Sequence, residues 1–441
     1  MFYFTTNQPE RYQQMTFEQM LMGIVPTSPA IKFNRNSSIT RVVMPHTELY
    51  QRLQEKTDVD TLILALKAFN AMYYEKYLNQ IRNYEAIPPA KRIFNNKLQR
   101  DYENLETIST QEEREAIIAA WTEENNRLSG QCYRTFKMRK KSNRRKFRTI
   151  NAPSDDLSDA LRTLKTTLEN MMVKSYHASA FAYVEGRSTI DAVQKHRDWE
   201  SNWYSHFDFS DFFGSTTHDF LLKQLGMIYP FHFIMMNPDG EAELSKCLQL
   251  CFLDGGLPQG TPISPFLTNV MMIPFDHILS NTLNNFEFAN GKKERFVYTR
   301  YADDLIISSR GTFDVKAIEK FIIDVLNEMR APFSLNTEKT HYGSRAGSNW
   351  NLGVMVNKDN KITVGWEKKQ HLKADLNNYT LDRQSDTPWD LDEIYALQGR
   401  ISYYKSIEPE YIDFVINRHN KKHRIDVLND IKTDIKNYKA Y

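Results

Sequence analysis

The chain has 441 residues, which is too long for one hydrophobic core, so two or three packed subdomains are expected. Hydrophobic residues make up 41% and charged residues 25%, as in an ordinary soluble protein. The formal net charge is only +2, so the overall charge does not by itself indicate a nucleic-acid binder. No apolar stretch approaches the ~20 residues that a membrane-spanning helix needs.

The first residues lack the basic and then apolar pattern of a secretory signal. The three cysteines, Cys132, Cys247 and Cys251, form no pair or cluster with zinc-site spacing. We therefore expect reduced thiols in a cytoplasmic protein that has no membrane partner.

Residues 1–130 predict a mostly helical extension that carries no catalytic constellation. Within residues 110–127, Thr110 and Glu113 have the spacing of a capping box, which predicts the start of a helix. Farther upstream, four apolar or aromatic residues recur at helical spacing: Leu62, Leu66, Phe69 and Tyr73.

A basic segment follows, in which residues 133–148 read YRTFKMRKKSNRRKFR without an acid. Such a block repels itself unless it meets an anion, so a nucleic-acid contact and a solvated loop both fit. Residues 147–153 then predict a short strand that ends in proline, and residues 157–172 an amphipathic helix. Residues 203–310 alternate short apolar strands with helical patterns, and residues 366–441 predict a separate small helical domain.

The strongest chemical signal is the pair Asp303 and Asp304 within YADD, between two β-prone flanks. The flanks predict a hairpin with the acids in its turn. A solvated turn would explain the pair by itself, but adjacent buried carboxylates need a neutralising cation, and Mg²⁺ prefers carboxylate oxygens.

A third acid favours the metal interpretation. Residues 206–213 read HFDFSDFF, which predicts a strand that places Asp208 among aromatic rings, where an unpaired acid is costly. A strand-borne acid that faces an acidic turn is the architecture that holds two metal ions ~4 Å apart. Between the two acidic elements, residues 255–265 form a Gly/Pro-rich loop that opens a helix and can approach a ligand closely.

The order of these motifs resembles the palm of reverse transcriptases: FDFSDFF, GLPQGTPISP, YADD, NTEKT and then NLGVMVN. Residues 147–153 (FRTINAP) and 182–188 (AYVEGRS) resemble the fingers of bacterial members, and the resemblance covers about residues 133–410. It implies an α+β right-hand polymerase, in which the palm has an antiparallel sheet and the thumb is helical. The expected divisions are a helical N-terminal extension (1–130), fingers (131–200), palm (201–355) and thumb (356–441).

The resemblance also implies an RNA-directed DNA polymerase with two Mg²⁺ ions on Asp208, Asp303 and Asp304. It implies a site for deoxynucleoside triphosphates, an RNA template and a cDNA product. By position, Phe213 matches the steric gate that excludes ribose, and Gln259 matches a residue that lines the nucleotide pocket. Lys339 matches the lysine near the pyrophosphate. Leu352-Gly353 lies at the position of the primer grip. The implied cations are Arg148 and Lys146 on the triphosphate, and Arg144, Arg145 and Arg187 on nucleic acid.

Within the family, the absence of recognisable ribonuclease H, integrase and protease segments leaves retron enzymes and defence-associated enzymes. Retron enzymes usually carry NAxxH and VTG elements, where this chain has DAVQKH at 191–196 and NLG at 351–353. These departures and the N-terminal extension favour an anti-phage defence enzyme that copies a dedicated non-coding RNA. A retron enzyme and, from another class, an inactive nucleic-acid-binding scaffold are the alternatives. Whether a second copy of the chain or an accessory protein joins it is left open.

Overall fold

The computed structural model describes residues 3–5, 12–14, 55–108, 110–128, 130–139, 147–172, 176–347, 351–385, 387 and 389–438. Its helices are α1 Val59–Glu85, α2 Pro89–Arg92, α3 Asn96–Glu103, α4 Gln111–Leu128, α5 Asp155–Met171, α6 Thr189–Asp198, α7 His218–Leu225, α8 Phe231–Met235, α9 Pro238–Gln249, α10 Ser264–Met271, α11 Ile273–Leu283, α12 Val315–Met329, α13 Trp366–Gln384, α14 Leu391–Ile407, α15 Pro409–His423 and α16 Val427–Tyr438. Its strands are β1 Tyr3–Thr5, β2 Tyr12–Gln14, β3 Tyr133–Arg139, β4 Phe147–Pro153, β5 Trp203–Ser210, β6 Phe286–Glu287, β7 Lys293–Glu294, β8 Val297–Tyr301, β9 Asp304–Ser309, β10 Ser334–Leu335, β11 His341–Ser344, β12 Met355–Val356 and β13 Ile362–Thr363.

The central sheet has five strands in the order β10-β5-β9-β8, and β11 pairs with the other half of β5 beside β10. All of these pairings are antiparallel, with Trp203 opposite Ser309 at one end and Asp208 opposite Asp304 at the other. The alternation in β5 turns Phe207 and Phe209 into the protein, where both are buried. This register places the predicted acids at one end of the sheet.

Helices α10, α11 and α12 pack in the main hydrophobic core with the buried residues of the sheet. Leu267, Phe275 and Ile322 are among their fully or almost fully buried side chains. Burying a side chain of this size stabilises the fold by roughly 1.5–3 kcal/mol. The core therefore provides a rigid support behind the acidic end of the sheet.

The N-terminal region is helical over most of its described length, as predicted, and also contains the short hairpin β1–β2. Asp58 caps α1 by accepting a hydrogen bond from the backbone N–H of Thr61. Along α1, Leu66 and Phe69 are buried in the main core, and the helix packs against α9. Helix α4 begins close to the predicted position, where Thr110 Oγ1 accepts from the N–H of Glu113.

Strands β3 and β4 form a separate antiparallel hairpin in which Tyr133 lies opposite Pro153 and Arg139 opposite Phe147. The preceding segment joins it through the N–H of Phe94, which donates to the carbonyl of Thr135 at 2.7 Å. The predicted strand over residues 147–153 is confirmed. Residues 140–146, between the strands, lie outside the described residues.

Helices α13 to α16 form a bundle with its own hydrophobic core, which includes Leu376, Leu397 and Ile412. Glu408 connects this bundle to the preceding strand by accepting hydrogen bonds from the Val364 N–H and the Thr363 hydroxyl. The expectation of an α+β fold with antiparallel sheets and a helical C-terminal region is confirmed. The cysteines are free and buried, and none of the described helices is both long and apolar enough to cross a membrane.

Candidate active site

Asp303 and Asp304 lie at the tip of the β8–β9 hairpin. Tyr301 pairs with Asp304 across the hairpin, so Ala302 and Asp303 form a two-residue turn. Ala302 has a φ of 57°, in the left-handed region that favours glycine. Such tight turns need a positive φ, so the turn holds local strain at the point where it presents Asp303. The predicted hairpin with acids at its tip is confirmed.

Asp208 approaches this turn from the neighbouring strand. It lies directly opposite Asp304 in the β5–β9 register, and the N–H of Phe209 donates to the carbonyl of Asp303 at 3.2 Å. Residues directly opposite in an antiparallel pair point to the same face of the sheet. The structure therefore brings the three predicted acids together.

The three carboxylates influence one another electrostatically. Burial, together with the nearby charges of Asp303 and Asp208, raises the pKa of Asp304 to about 7. Burial, together with the charge of Asp208, also raises the pKa of Asp303 above its usual value. Both shifts indicate carboxylates that are not neutralised by the protein alone.

Lys339 supplies part of the missing positive charge. Its Nζ donates to both carboxylate oxygens of Asp208 at 2.9 Å. The turn that carries the lysine is attached to the same strand, because the N–H of Asn336 donates to the carbonyl of Asp208 at 2.7 Å. The structure thus places the predicted pyrophosphate-side lysine against a predicted metal ligand.

Within the described part of the chain, no group of three or more His, Cys, Asp or Glu side chains is arranged to hold a metal ion. The ammonium of Lys339 pairs with Asp208, one of the three predicted metal ligands. The donor set nevertheless fits a hard divalent cation, because all three side chains are carboxylates at one end of the sheet. The ligand role of the three acids stays a prediction.

Phe213 contacts the Gly/Pro-rich loop that carries Gln259 through the backbone of that loop. The N–H of Leu257 donates to the carbonyl of Phe213 at 2.9 Å. A Cβ added at Gly256 would lie 2.1 Å from the carbonyl oxygen of Gly214, so only glycine permits this approach. The Gly/Pro-rich loop is therefore fixed against the segment that carries Phe213.

The same loop contacts the β3–β4 hairpin. The N–H of Asn151 donates to the carbonyl of Gln259 at 2.7 Å, three residues beyond Arg148 in β4. Asn151 also accepts a hydrogen bond from the Thr135 hydroxyl at 2.6 Å. The loop that carries Gln259 thus joins the segment of Phe213 to the strand of Arg148. The nucleotide-binding roles of these three residues stay predictions. Arg144, Arg145 and Lys146 lie outside the described residues.

Arg187 lies in the loop before α6. Its Nη1 donates to the carbonyls of His177 and Ala180, both at 2.6 Å. These bonds hold the loop together. Contact with nucleic acid stays a prediction for this residue.

Leu352 and Gly353 form a second tight turn between Asn351 and Val354, which pair in a β-bridge. Both turn residues have positive φ, 52° and 87°, as in a type I′ turn. Val354 packs against Tyr204 of the central sheet, and the amine of Lys368 in α13 donates to the carbonyl of Gly353. The predicted primer grip therefore lies between the sheet and the C-terminal bundle, and its role stays a prediction.

A buried network behind the acidic turn was not anticipated from the sequence. Arg300 is fully buried, and its Nε and Nη2 donate to the two oxygens of Asp276 at 2.8 and 2.7 Å. Its Nη1 donates to the carbonyl of Ala302 at 3.2 Å, which supports the strained turn from behind. The one signal in the sequence was Arg300 itself, which lies within a predicted buried strand. A fully buried cation requires a partner of opposite charge, so an acid such as Asp276 could have been sought.

His196 is also buried at the opposite end of this sheet. Its ring nitrogens contact the hydroxyls of Ser308 and Thr299 at 2.6 and 2.7 Å. Burial lowers the pKa of His196 to about 3, so the ring is neutral near pH 7. These contacts give His196 a structural role.

Carboxylates at one end of a sheet with a lysine beside them are typical of enzymes that transfer nucleotides with the help of divalent metal ions. Residues 138–371 match the family described as "Reverse transcriptase (RNA-dependent DNA polymerase)". The match covers more than half of the chain, so the chain belongs to the reverse transcriptase family and is an RNA-directed DNA polymerase.

Its curated relatives include retron enzymes of Escherichia coli. The retron Ec83 reverse transcriptase is 27% identical over 266 residues, which cover 58% of this chain and 77% of the relative. The retron Ec86 reverse transcriptase is 24% identical over 306 residues, which cover 68% of this chain and 85% of that one. The resemblance to bacterial retron-like reverse transcriptases is thereby confirmed.

Among solved structures, the apo telomerase of Candida tropicalis is similar with a TM-score of 0.38 and 12% sequence identity. The alignment covers 62% of this chain and 57% of that one, so the chain spans little more than half of the telomerase.

Proposed function

We propose that this reverse transcriptase copies a dedicated non-coding RNA into cDNA, with Asp208, Asp303 and Asp304 as the reaction centre. The observation that carries the proposal is the β5–β9 register, which sets Asp208 opposite Asp304 and beside Asp303. A primer–template duplex would be held by fingers (131–200), palm (201–355) and thumb (356–441). Residues 1–130 would form an extension.

Two Mg²⁺ ions would be held by the three carboxylates, and when bound they supply the charge that activates the primer 3′-hydroxyl and neutralises the triphosphate. The family as a whole depends on divalent metal ions, and the raised pKa values of Asp303 and Asp304 support such a need here. The metal identity and number are part of the proposal.

The other residues bind and orient the substrates. Arg148 on β4 neutralises the triphosphate, and Gln259 lines the nucleotide pocket from the loop that β4 contacts. Phe213 crowds the 2′ position of the sugar and so favours deoxynucleotides. As the primer oxygen bonds to the α-phosphorus and pyrophosphate leaves, Lys339 donates a proton to the leaving group.

The relatives and the sequence favour different biological settings. Retron relatives favour a second candidate, in which the enzyme makes a branched RNA–DNA from its own RNA. The departures at residues 191–196 and 351–353 favour an anti-phage defence enzyme instead. In both settings the template is one dedicated RNA, which a second copy of the chain or an accessory protein could help to hold.

Purification of the protein from its native host, followed by sequencing of the bound RNA and DNA, tests this proposal. One abundant small RNA with complementary DNA is expected, and a 2′–5′ branched junction would assign the enzyme to the retron kind. RNA without any complementary DNA, combined with no synthesis in vitro, would contradict the proposal and favour an inactive scaffold.

A further inference from the structure

The loop before α6 runs beside the strand that leads to the catalytic turn. Ala180 forms a parallel β-bridge with Arg300. The N–H of Arg300 donates to the carbonyl of Ser179 at 2.7 Å, and the N–H of Phe181 donates to the carbonyl of Arg300 at 2.9 Å. The backbone of this loop is thus fixed in register with β8.

A buried side-chain bridge extends this register by two residues. Asn269 is 1% exposed, and its Nδ2 donates to the carbonyl of Ala182 at 2.6 Å. Its Oδ1 accepts from Nη1 of Arg300 at 3.1 Å, and the same nitrogen donates to the carbonyl of Ala302. The carbonyls just before Tyr183 and Asp303 are therefore held by one connected network, which fixes these two residues relative to each other.

Tyr183 itself is strained and exposed. Its φ is 57°, in the left-handed region, and its side chain is 56% exposed. The segment after it is closed by a turn, because the N–H of Arg187 donates to the carbonyl of Val184 at 3.1 Å. Such a conformation persists only where the surroundings determine it, and it is typical of functional sites.

The hydrogen-bond network places the backbone of Tyr183 beside the catalytic turn. The pKa of Tyr183 is raised, first by partial burial of its oxygen and then by the negative charges of Asp303 and Tyr301, while Arg148 lowers it. Tyr183 therefore lies within electrostatic range of both Asp303 and Arg148. An aromatic ring at this place is well suited to stack on a nucleobase.

We propose that Tyr183 is a substrate-binding residue whose ring stacks on a nucleobase of the nascent base pair. The inference rests on the proposed function, in which Arg148 contacts the triphosphate and Phe213 the sugar, so that the base is the part of the nucleotide left for Tyr183. Asn269 and Arg300 are positioning residues that hold Tyr183 beside Asp303.

Primer extension on an RNA template, with each deoxynucleotide titrated, tests the inference. Tyr183→Ala should raise the KM for the deoxynucleotide by ~10-fold and change kcat by less than about twofold, because a base–aromatic contact is lost. Tyr183→Phe should keep the wild-type KM. Tyr183→Gly, which accepts the positive φ without strain, should show the same loss as Tyr183→Ala. Phe414→Ala, at an aromatic residue of α15 that is 59% exposed, is the matched control.

A second readout distinguishes the two bases of the pair. With 2-aminopurine at the templating position, a fluorescence change in Tyr183→Gly before nucleotide is added would assign the stacking to the templating base. A change in KM alone would assign it to the incoming base. A wild-type KM and wild-type fluorescence in Tyr183→Gly would overturn the inference. Failure of the wild-type enzyme to extend any primer would instead contradict the proposed polymerase function.

Discussion

The ammonium of Lys339 lies 2.9 Å from both carboxylate oxygens of Asp208. The Lys339 side chain is 57% exposed and that of Asp208 is 16% exposed, so the lysine reaches in from solvent to a half-buried acid. A divalent cation that binds Asp208 must therefore compete with this ammonium.

Replacement of Lys339 by alanine should strengthen metal binding while weakening catalysis. Because exposed ion pairs are worth only ~0.2–1 kcal/mol, the dissociation constant of Mn²⁺ without nucleotide should fall by at most ~5-fold. The rate of nucleotide addition should fall as well, since the leaving pyrophosphate loses a proton donor. Electron paramagnetic resonance of free Mn²⁺ measures the first effect, and single-turnover extension measures the second.

Lys405→Ala is the matched control, because Lys405 pairs with Asp413 on the C-terminal bundle at 2.6 Å. It should change neither quantity. Equal Mn²⁺ affinity in Lys339→Ala and the wild-type enzyme would show that the lysine does not compete for the metal site.

Phe213→Ala should admit ribonucleotides. Removal of the ring opens space where a 2′-hydroxyl would lie, so the preference for deoxynucleotides should fall by roughly 10- to 100-fold. The ratio of kcat/KM for a matched pair of deoxy- and ribonucleoside triphosphates measures this preference. Unchanged sugar discrimination would remove Phe213 from the role of steric gate.

Gly260→Ala should separate the β3–β4 hairpin from the loop that carries Gln259. Gly260 has a φ of 117°, and an added Cβ would lie 2.9 Å from Cγ2 of Ile150 and 3.0 Å from the carbonyl oxygen of Asn151. The strain costs ~1–3 kcal/mol, and relief by movement of β4 should raise the KM for deoxynucleotides by ~10-fold.

Gly399→Ala controls for the loss of a glycine, because a Cβ there meets nothing within 4 Å in the middle of α14. It should stabilise the protein by ~0.5–1 kcal/mol and leave the KM unchanged. A wild-type KM in Gly260→Ala would show that this contact does not position the nucleotide.

Acid should destabilise the fold through His196. Burial lowers its pKa to about 3, whereas an unfolded histidine titrates near 6.5. Below pH 6.5 the unfolded chain therefore binds more protons, so the free energy of unfolding falls as the pH drops toward 3, by up to ~1.4 kcal/mol per pH unit. In urea unfolding between pH 7 and 5, His196→Gln should show a shallower pH dependence, whereas the exposed His371→Gln should not. Parallel curves for wild-type enzyme and His196→Gln would contradict this.

The parts of the site that the sequence predicted are those with local signals. An acidic pair between two β-prone segments predicted the hairpin with Asp303, and period-two apolar residues predicted the strand with Asp208. Their convergence was predicted from metal chemistry and from the family resemblance and not from local pattern, because strand register depends on pairing across about one hundred residues.

The buried network around Arg300 was not predicted, for the same reason. Arg300 meets Asp276 and Asn269 through tertiary packing, and it lies 24 and 31 residues from them along the chain, beyond the reach of any local pattern. The strain at Tyr183 was equally hidden, because nothing in the local sequence requires a tyrosine to adopt a positive φ.

The measurement that tests the central assignment most directly is primer extension on RNA with deoxynucleotides and Mg²⁺, comparing Asp303→Asn with the wild-type enzyme. The substitution keeps the side-chain volume and removes the negative charge, so the account predicts loss of synthesis with an unchanged circular dichroism spectrum and retained RNA binding. Wild-type extension by Asp303→Asn would contradict the assignment of the three carboxylates as the reaction centre.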